Sequence, residues 1–136
     1  MLKIKQIAHI GIAVSDMEST KAFYQDVLGL ECIKEVDLPA KQNKLCFFAV
    51  GDSALELVAP AGEQSAVAEV IANKGVGPYH IALRVDDVDV SLQKLREVDI
   101  KLRNQQAMPT PVGGRNAFLE VQQSAGDILF ELCDEC

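Results

Sequence analysis

Residues 7–14, IAHIGIAV, alternate with the two-residue period of a strand whose faces differ. Ser15 and Glu18 follow at the S-x-x-E spacing of a helix-capping box. Met17, Phe23, Tyr24, Val27 and Leu28 then form a helical stripe that Gly29 ends. Three β-rich runs come next: LECIKEV (30–36), KLCFFAVG (44–51) and SALELVAP (53–60), with Gly51-Asp52 as a tight turn between the last two. SAVAEVIANKG (65–75) reads as a short amphipathic helix. The order then repeats. YHIALRV (79–85) alternates, and Asp86 or Asp87 caps a helix carrying Val88, Leu92, Leu95 and Val98. Three shorter β runs follow: DIKLRN (99–104), RNAFLEVQ (115–122) and GDILFELC (126–133). MPTPVGG (108–114) is a loop whose prolines and glycines suit a mobile flap over a site.

The chain is therefore written twice as β-α-β-β-β: module one over 1–61, a linker helix over 62–77 and module two over 78–136, within one domain. The lack of a Pro-, Gly- or Ser-rich linker implies that the modules pack together. The duplication reaches single residues. His9 recurs as His80, and Asp16 as Asp87, each 71 positions on; Leu-Glu-Leu (55–57) recurs as Phe-Glu-Leu (130–132), 75 positions on.

Alternation assigns faces. Ile10, Ile12 and Val14 point towards a helix, and His9, Gly11 and Ala13 point away; Ile81, Leu83 and Val85 point towards a helix, and His80, Ala82 and Arg84 away. Gly11 and Ala82 leave room beside the histidines. Glu56 and Glu131 lie between large apolar neighbours and take the opposite face from them. A half-buried strand carboxylate is costly unless it is paired or binds a metal. A single strand histidine is more often a hydrogen-bonded core residue than a ligand, and a single strand glutamate is most often solvated. The recurrence of both, in a chain with no other histidine, favours a site of two imidazoles and two carboxylates. That donor set suits Zn, Ni, Co, Mn or Fe, with open positions for catalysis.

Composition narrows the class. At 136 residues and 49% hydrophobic, the chain suits one domain with a sizeable core. The net charge of −7 argues against non-specific binding to nucleic acid or anionic membranes. No apolar run approaches the ~18 residues of a membrane span, and MLKIKQIAHIGIAVSD lacks a signal-peptide pattern, so a cytoplasmic location is expected. Four cysteines permit two disulfides, but a chain with this core does not need them. Cys133-x-x-Cys136 fits a redox pair or half a zinc site; its position on a strand, with no second pair, makes coincidence the preferred reading.

The duplicated βαβββ order, with His9, Glu56, His80 and Glu131 at matching places, resembles the vicinal oxygen chelate superfamily. The resemblance implies an α+β fold: two tandem modules forming a curved, open eight-stranded half-barrel around a metal site. It also implies that these four residues are the metal ligands. Within the superfamily the chain most resembles the methylmalonyl-CoA epimerases. The stretches that carry this are HIGIAVSDMESTKAFYQDVLGL, LELVAPAGEQSAVAEVI with its P-x-G-E-x-S pattern (Pro60, Gly62, Glu63, Ser65), GPYHIALRVDDVDVSLQKL and GGRNAFLE…GDILFELCDE. The Pro-Glu-Gln-Gly-Val-like segment common in epimerases reads Pro39-Ala40-Lys41-Gln42-Asn43-Lys44 here, and no acid lies between Asp37 and Asp52.

The resemblance implies proton abstraction from an acyl-CoA thioester through a metal-stabilised enolate. Glu131 is the expected base, Glu56 the second, and the cofactor one divalent ion (Co, Ni, Zn or Mn). Glyoxalase I, which isomerises a hemithioacetal, would use the same four ligands. An extradiol dioxygenase would need only two histidines and one glutamate, so Glu56 argues against it. A non-enzymatic metal-dependent small-molecule-binding protein is the remaining alternative. Lys41, Lys44, Arg103 and Arg115 are candidate partners for CoA phosphates; Arg84, on the cavity side of its strand, is expected to pair with a carboxylate or to emerge at the rim, and a homodimer is expected.

Overall fold

A computed structural model describes residues 1–136. The strands are β1 (Gln6–Ala13), β2 (Cys32–Leu38), β3 (Asn43–Val50), β4 (Ser53–Pro60), β5 (Gly77–Arg84), β6 (Met108–Pro109), β7 (Arg115–Phe118) and β8 (Leu129–Asp134). The helices are α1 (Met17–Ala22), α2 (Ala66–Lys74) and α3 (Val88–Glu97). The hydrogen-bonded strand order is β2-β3-β4-β1-β5-β8-β7-β6. Each half thus holds the expected β-α-β-β-β order. Two compact units result: Ile10–Tyr79, and Met1–His9 with His80–Cys136. β1 passes from one to the other, and the change falls directly after His9.

In the unit Ile10–Tyr79, β3 pairs antiparallel with β2 and with β4. Val14, Cys46, Phe48, Leu57 and Ala59 form its core, and Ile12, Met17 and Tyr24 pack against them. The strand face assigned to Ile12 and Val14 is therefore the helix-covered one. Asp16, not Ser15, caps α1: its carboxylate accepts from the Ser19 amide at 3.2 Å. The cap belongs to the residue whose side chain reaches the third helical amide, and that is one position later than the S-x-x-E pattern indicated. Beyond Ala22 the chain widens into a π-turn, Phe23–Val27, which leaves Phe23, Val27 and Leu28 at least half exposed. The predicted apolar stripe is thus split, and only Met17 and Tyr24 of its members pack against the core. α2 forms as expected, with the Ser65 hydroxyl accepting from the Val67 and Ala68 amides.

In the other unit, β8 runs parallel to β5 and antiparallel to β7. Val85, Val88, Leu92, Leu95, Leu102, Ala117 and Leu132 form the core beneath α3. Asp87 is the cap of α3, accepting from the Val90 amide at 3.1 Å, while the buried Asp134 carboxylate takes the Val88 amide at 3.0 Å. Asp87→Ala should cost about 1 kcal/mol, the usual loss of an N-cap, readable as a lower midpoint in urea unfolding.

Two segments depart from the sequence reading. DIKLRN is not a strand. Asp99 turns the chain at φ 60, and the Arg103 and Asn104 amides both donate to the Phe118 carbonyl, so a ladder cannot continue. The slot is taken by Met108–Pro109, paired with Asn116 and Arg115, within the segment read as a flap. That segment is a fastened hairpin: Thr110 accepts from the Val112 amide at 3.2 Å and its own amide donates to the Gly114 carbonyl at 3.0 Å. Gly114 has no alternative, because φ is +70 and a Cβ there would sit 1.7 Å from the Asp134 carbonyl oxygen. Cys133 and Cys136 are joined by a disulfide, which the sequence reading did not call for. Glu135 at φ 54 folds the tail back and brings the two Cα atoms to 6.0 Å, within the usual disulfide range.

Candidate metal centre

Three of the four expected ligands meet in the unit that contains β5 and β8. His9 ends the part of β1 lying in this unit. β1 and β5 are hydrogen-bonded neighbours, the Lys5 amide donates to the Arg84 carbonyl, and the imidazoles of His9 and His80 meet. On the other side of β5, Ala82 pairs with Glu131 of β8. The small side chain expected to leave room beside His80 is thus the neighbour of the carboxylate. His9, His80 and Glu131 are 6%, 3% and 5% exposed, so the donors are withdrawn from water.

The donor atoms form a triangle. His9 Nε2 and His80 Nε2 are 3.0 Å apart, and Glu131 Oε1 lies 3.5 Å from the first and 3.4 Å from the second. Around an ion bonded at about 2.1 Å, neighbouring donors lie about 3.0 Å apart in octahedral and about 3.4 Å in tetrahedral geometry. The three sides span that interval, so the residues fit one divalent cation. Imidazole nitrogens with a carboxylate oxygen suit Zn, Ni, Co or Mn alike.

Burial alone would push the Glu131 carboxyl up. Hydrogen bonding to His80 and His9, with their positive charge, overrides it and holds the group down at about 2. Glu131 is therefore a carboxylate over the working pH range. Its two oxygens differ: Oε1 faces the imidazoles and Oε2 accepts from the Asn116 amide Nδ2 at 3.3 Å. Phe118 stands edge-on to His80, ring centroids 5.5 Å apart. Sequence reasoning missed both residues. They share a face with Glu131 only through the β7–β8 register, in which Phe118 opposes Glu131, and no local pattern reveals that register.

The fourth expected ligand, Glu56, belongs to the unit Ile10–Tyr79. It lies on β4 opposite Phe47 and is 8% exposed. Of the cationic candidates, Arg115 is held by Asp134 at 3.0 Å and by Asp89, Arg103 pairs with Glu120 at 3.5 Å, and Arg84 donates to the Cys136 carbonyl. Lys41 and Lys44 are exposed.

Fold and donor set together define the class. The chain belongs to the glyoxalase/bleomycin resistance protein/dioxygenase superfamily, whose family model matches residues 8–118. Its relatives include the mitochondrial methylmalonyl-CoA epimerase of Bos taurus, 32% identical over 128 residues, which span 93% of this chain and 73% of that protein. The lactoylglutathione lyase of Haemophilus influenzae is 32% identical over 98 residues, 67% of this chain and 66% of that protein. Among solved structures, a Streptomyces coelicolor methylmalonyl-CoA epimerase variant in complex with 2-nitronate-propionyl-CoA has a TM-score of 0.88 at 28% identity, over 97% of this chain and 95% of that one. No helix is long and apolar enough to cross a membrane.

Proposed function

We propose that the protein is a metal-dependent methylmalonyl-CoA epimerase, acting on an acyl-CoA thioester. The observation that carries this reading is the buried Glu131 carboxylate, kept ionised and turned by one oxygen towards two converging imidazoles. The epimerase relative aligned over 93% of the chain supports it over the lyase relative, aligned over 67%. A hemithioacetal isomerase is therefore not favoured.

The α-C–H of a methylmalonyl thioester, flanked by a thioester and a carboxylate, is still too weak an acid to ionise quickly in water. A divalent cation held by His9, His80 and Glu131 supplies, when bound, the Lewis-acid charge that a developing enolate needs. Glu131 takes the α-proton. With Oε1 directed at the histidines, Oε2 is the oxygen for that task, and Asn116 fixes where it points. Glu56 is the proposed second acid-base group, returning a proton to the opposite face. Its side chain is buried on β4. A homodimer and a cytoplasmic location belong to the same proposal.

The test uses protein stripped by chelator and reloaded with Co, Ni, Mn or Zn. Loss of the α-proton signal of methylmalonyl-CoA in D₂O is followed by NMR. Metal-dependent exchange is expected; its absence with every metal would sink the reading. Asn116→Leu should lower metal affinity or turnover by about 10–100-fold, the usual cost of losing a group that orients a ligand. Competition against a chromophoric chelator measures the affinity part separately from turnover.

A further inference from the structure

A second cluster of reactive side chains lies in the unit Ile10–Tyr79, on the helix-covered face, and the reaction above does not use it. Cys32 opens β2 and Cys46 sits within β3; Cys46 is fully buried and Cys32 partly exposed. Their register is diagonal: Cys32 opposes Phe48 and Cys46 opposes Glu35, with a bulge between Cys32 and Lys34. The two Sγ atoms are 3.1 Å apart.

Two chemistries suit a thiol pair, and the neighbours decide between them. A metal would recruit Glu35, whose carboxylate lies within 4.8 Å of both sulfurs. That carboxylate is already paired with the Lys21 ammonium, so a cation occupies the position a metal would need. Thiolates at about 2.3 Å from a tetrahedral zinc would also stand about 3.8 Å apart, wider than the observed separation. We propose that Cys32 and Cys46 form a reversible thiol–disulfide site, oxidised by hydroperoxides.

The two sulfurs divide the work. Cys32 is the one a small oxidant reaches. Burial, followed by its hydrogen bond with Cys32, pushes the Cys46 thiol up to about 12, so Cys46 is a protonated thiol. The Cys32 thiol attacks the peroxide, forming a sulfenic acid and releasing an alcohol, or water from hydrogen peroxide. Cys46 sulfur then displaces the sulfenic oxygen, which leaves as water with the Cys46 proton. The sum is two thiols and one hydroperoxide giving one disulfide, one alcohol and one water. The bond would tie β2, at the end of the strand order, to β3.

The experiment treats the intact protein with hydrogen peroxide, blocks remaining thiols with iodoacetamide, and maps tryptic peptides without reduction. Cys32 falls in peptide 22–34, Cys46 in 45–74, and Cys133 with Cys136 in 116–136, so the pairs are separable. The expected result is peptide 22–34 linked to 45–74, reversed by dithiothreitol, with oxidised protein melting above reduced protein. In Cys32→Ser, which spares the buried sulfur, the melting shift should vanish and Cys46 should be recovered alkylated. Recovery of both thiols alkylated from treated wild-type protein, or of Cys32 as sulfinic or sulfonic acid without the link, would overturn the proposal.

Discussion

Glu131→Gln should lower α-proton exchange by about 10²–10⁴-fold, the contribution of a positioned general base. The substitution keeps the size of the side chain and its contact with Asn116 but removes the charge that takes the proton. Metal content separates the two roles of the residue. If Glu131→Gln still binds metal but does not exchange, the lost function is the base. If the metal is lost as well, the ligand role dominates. Near-wild-type exchange in the metal-loaded variant would assign the proton to another group. The same substitution has a signature in the metal-free protein. The Glu131 carboxyl is lowered from an ordinary 4.5 to about 2, so the folded state favours its ionised form. That stability is fully present above pH ~4.5 and is lost as pH falls from there through about 2. Acid unfolding in this window should be steeper in wild-type protein than in Glu131→Gln.

Much of this site could be read from the chain because duplication repeats its marks. His9 and His80 each sit on the first strand of a half, and Asp16 and Asp87 each cap the helix that follows. Two-residue alternation placed Val14, Leu83 and Val85 under helices and the histidines on the other face, as found. The reading failed where the outcome depends on register or on backbone turns. DIKLRN has strand-like residues, but with Asp99 in the left-handed region its pairing shrinks to a single bridge, Leu102 with Leu119. Met108–Pro109 has turn-like residues, yet the antiparallel partners Asn116 and Arg115 draw it into a strand. Phe23, Val27 and Leu28 fit a helical stripe of period 3.6, and one π-turn rotates them outwards. Asn116 was invisible for the same reason: its contact with Glu131 is diagonal across two strands.

His80→Ala should abolish the stabilisation that divalent metal gives the wild-type protein. The two Nε2 atoms lie 3.0 Å apart and converge with Glu131 Oε1. A divalent cation held there would draw on both imidazole nitrogens, so losing the His80 ring would remove one of its ligands. For a ligand present at about 1,000 times its Kd, binding to the folded state alone adds about 4 kcal/mol. In a chain of this size that corresponds to a rise in Tm of roughly 10–20 °C. Thermal unfolding with and without Co or Zn measures it. His80→Ala that unfolds at the same temperature with and without metal fits the centre described. A variant that keeps the full metal-induced rise would move the metal elsewhere in the chain and leave the imidazole pair as a hydrogen-bonded element of the core.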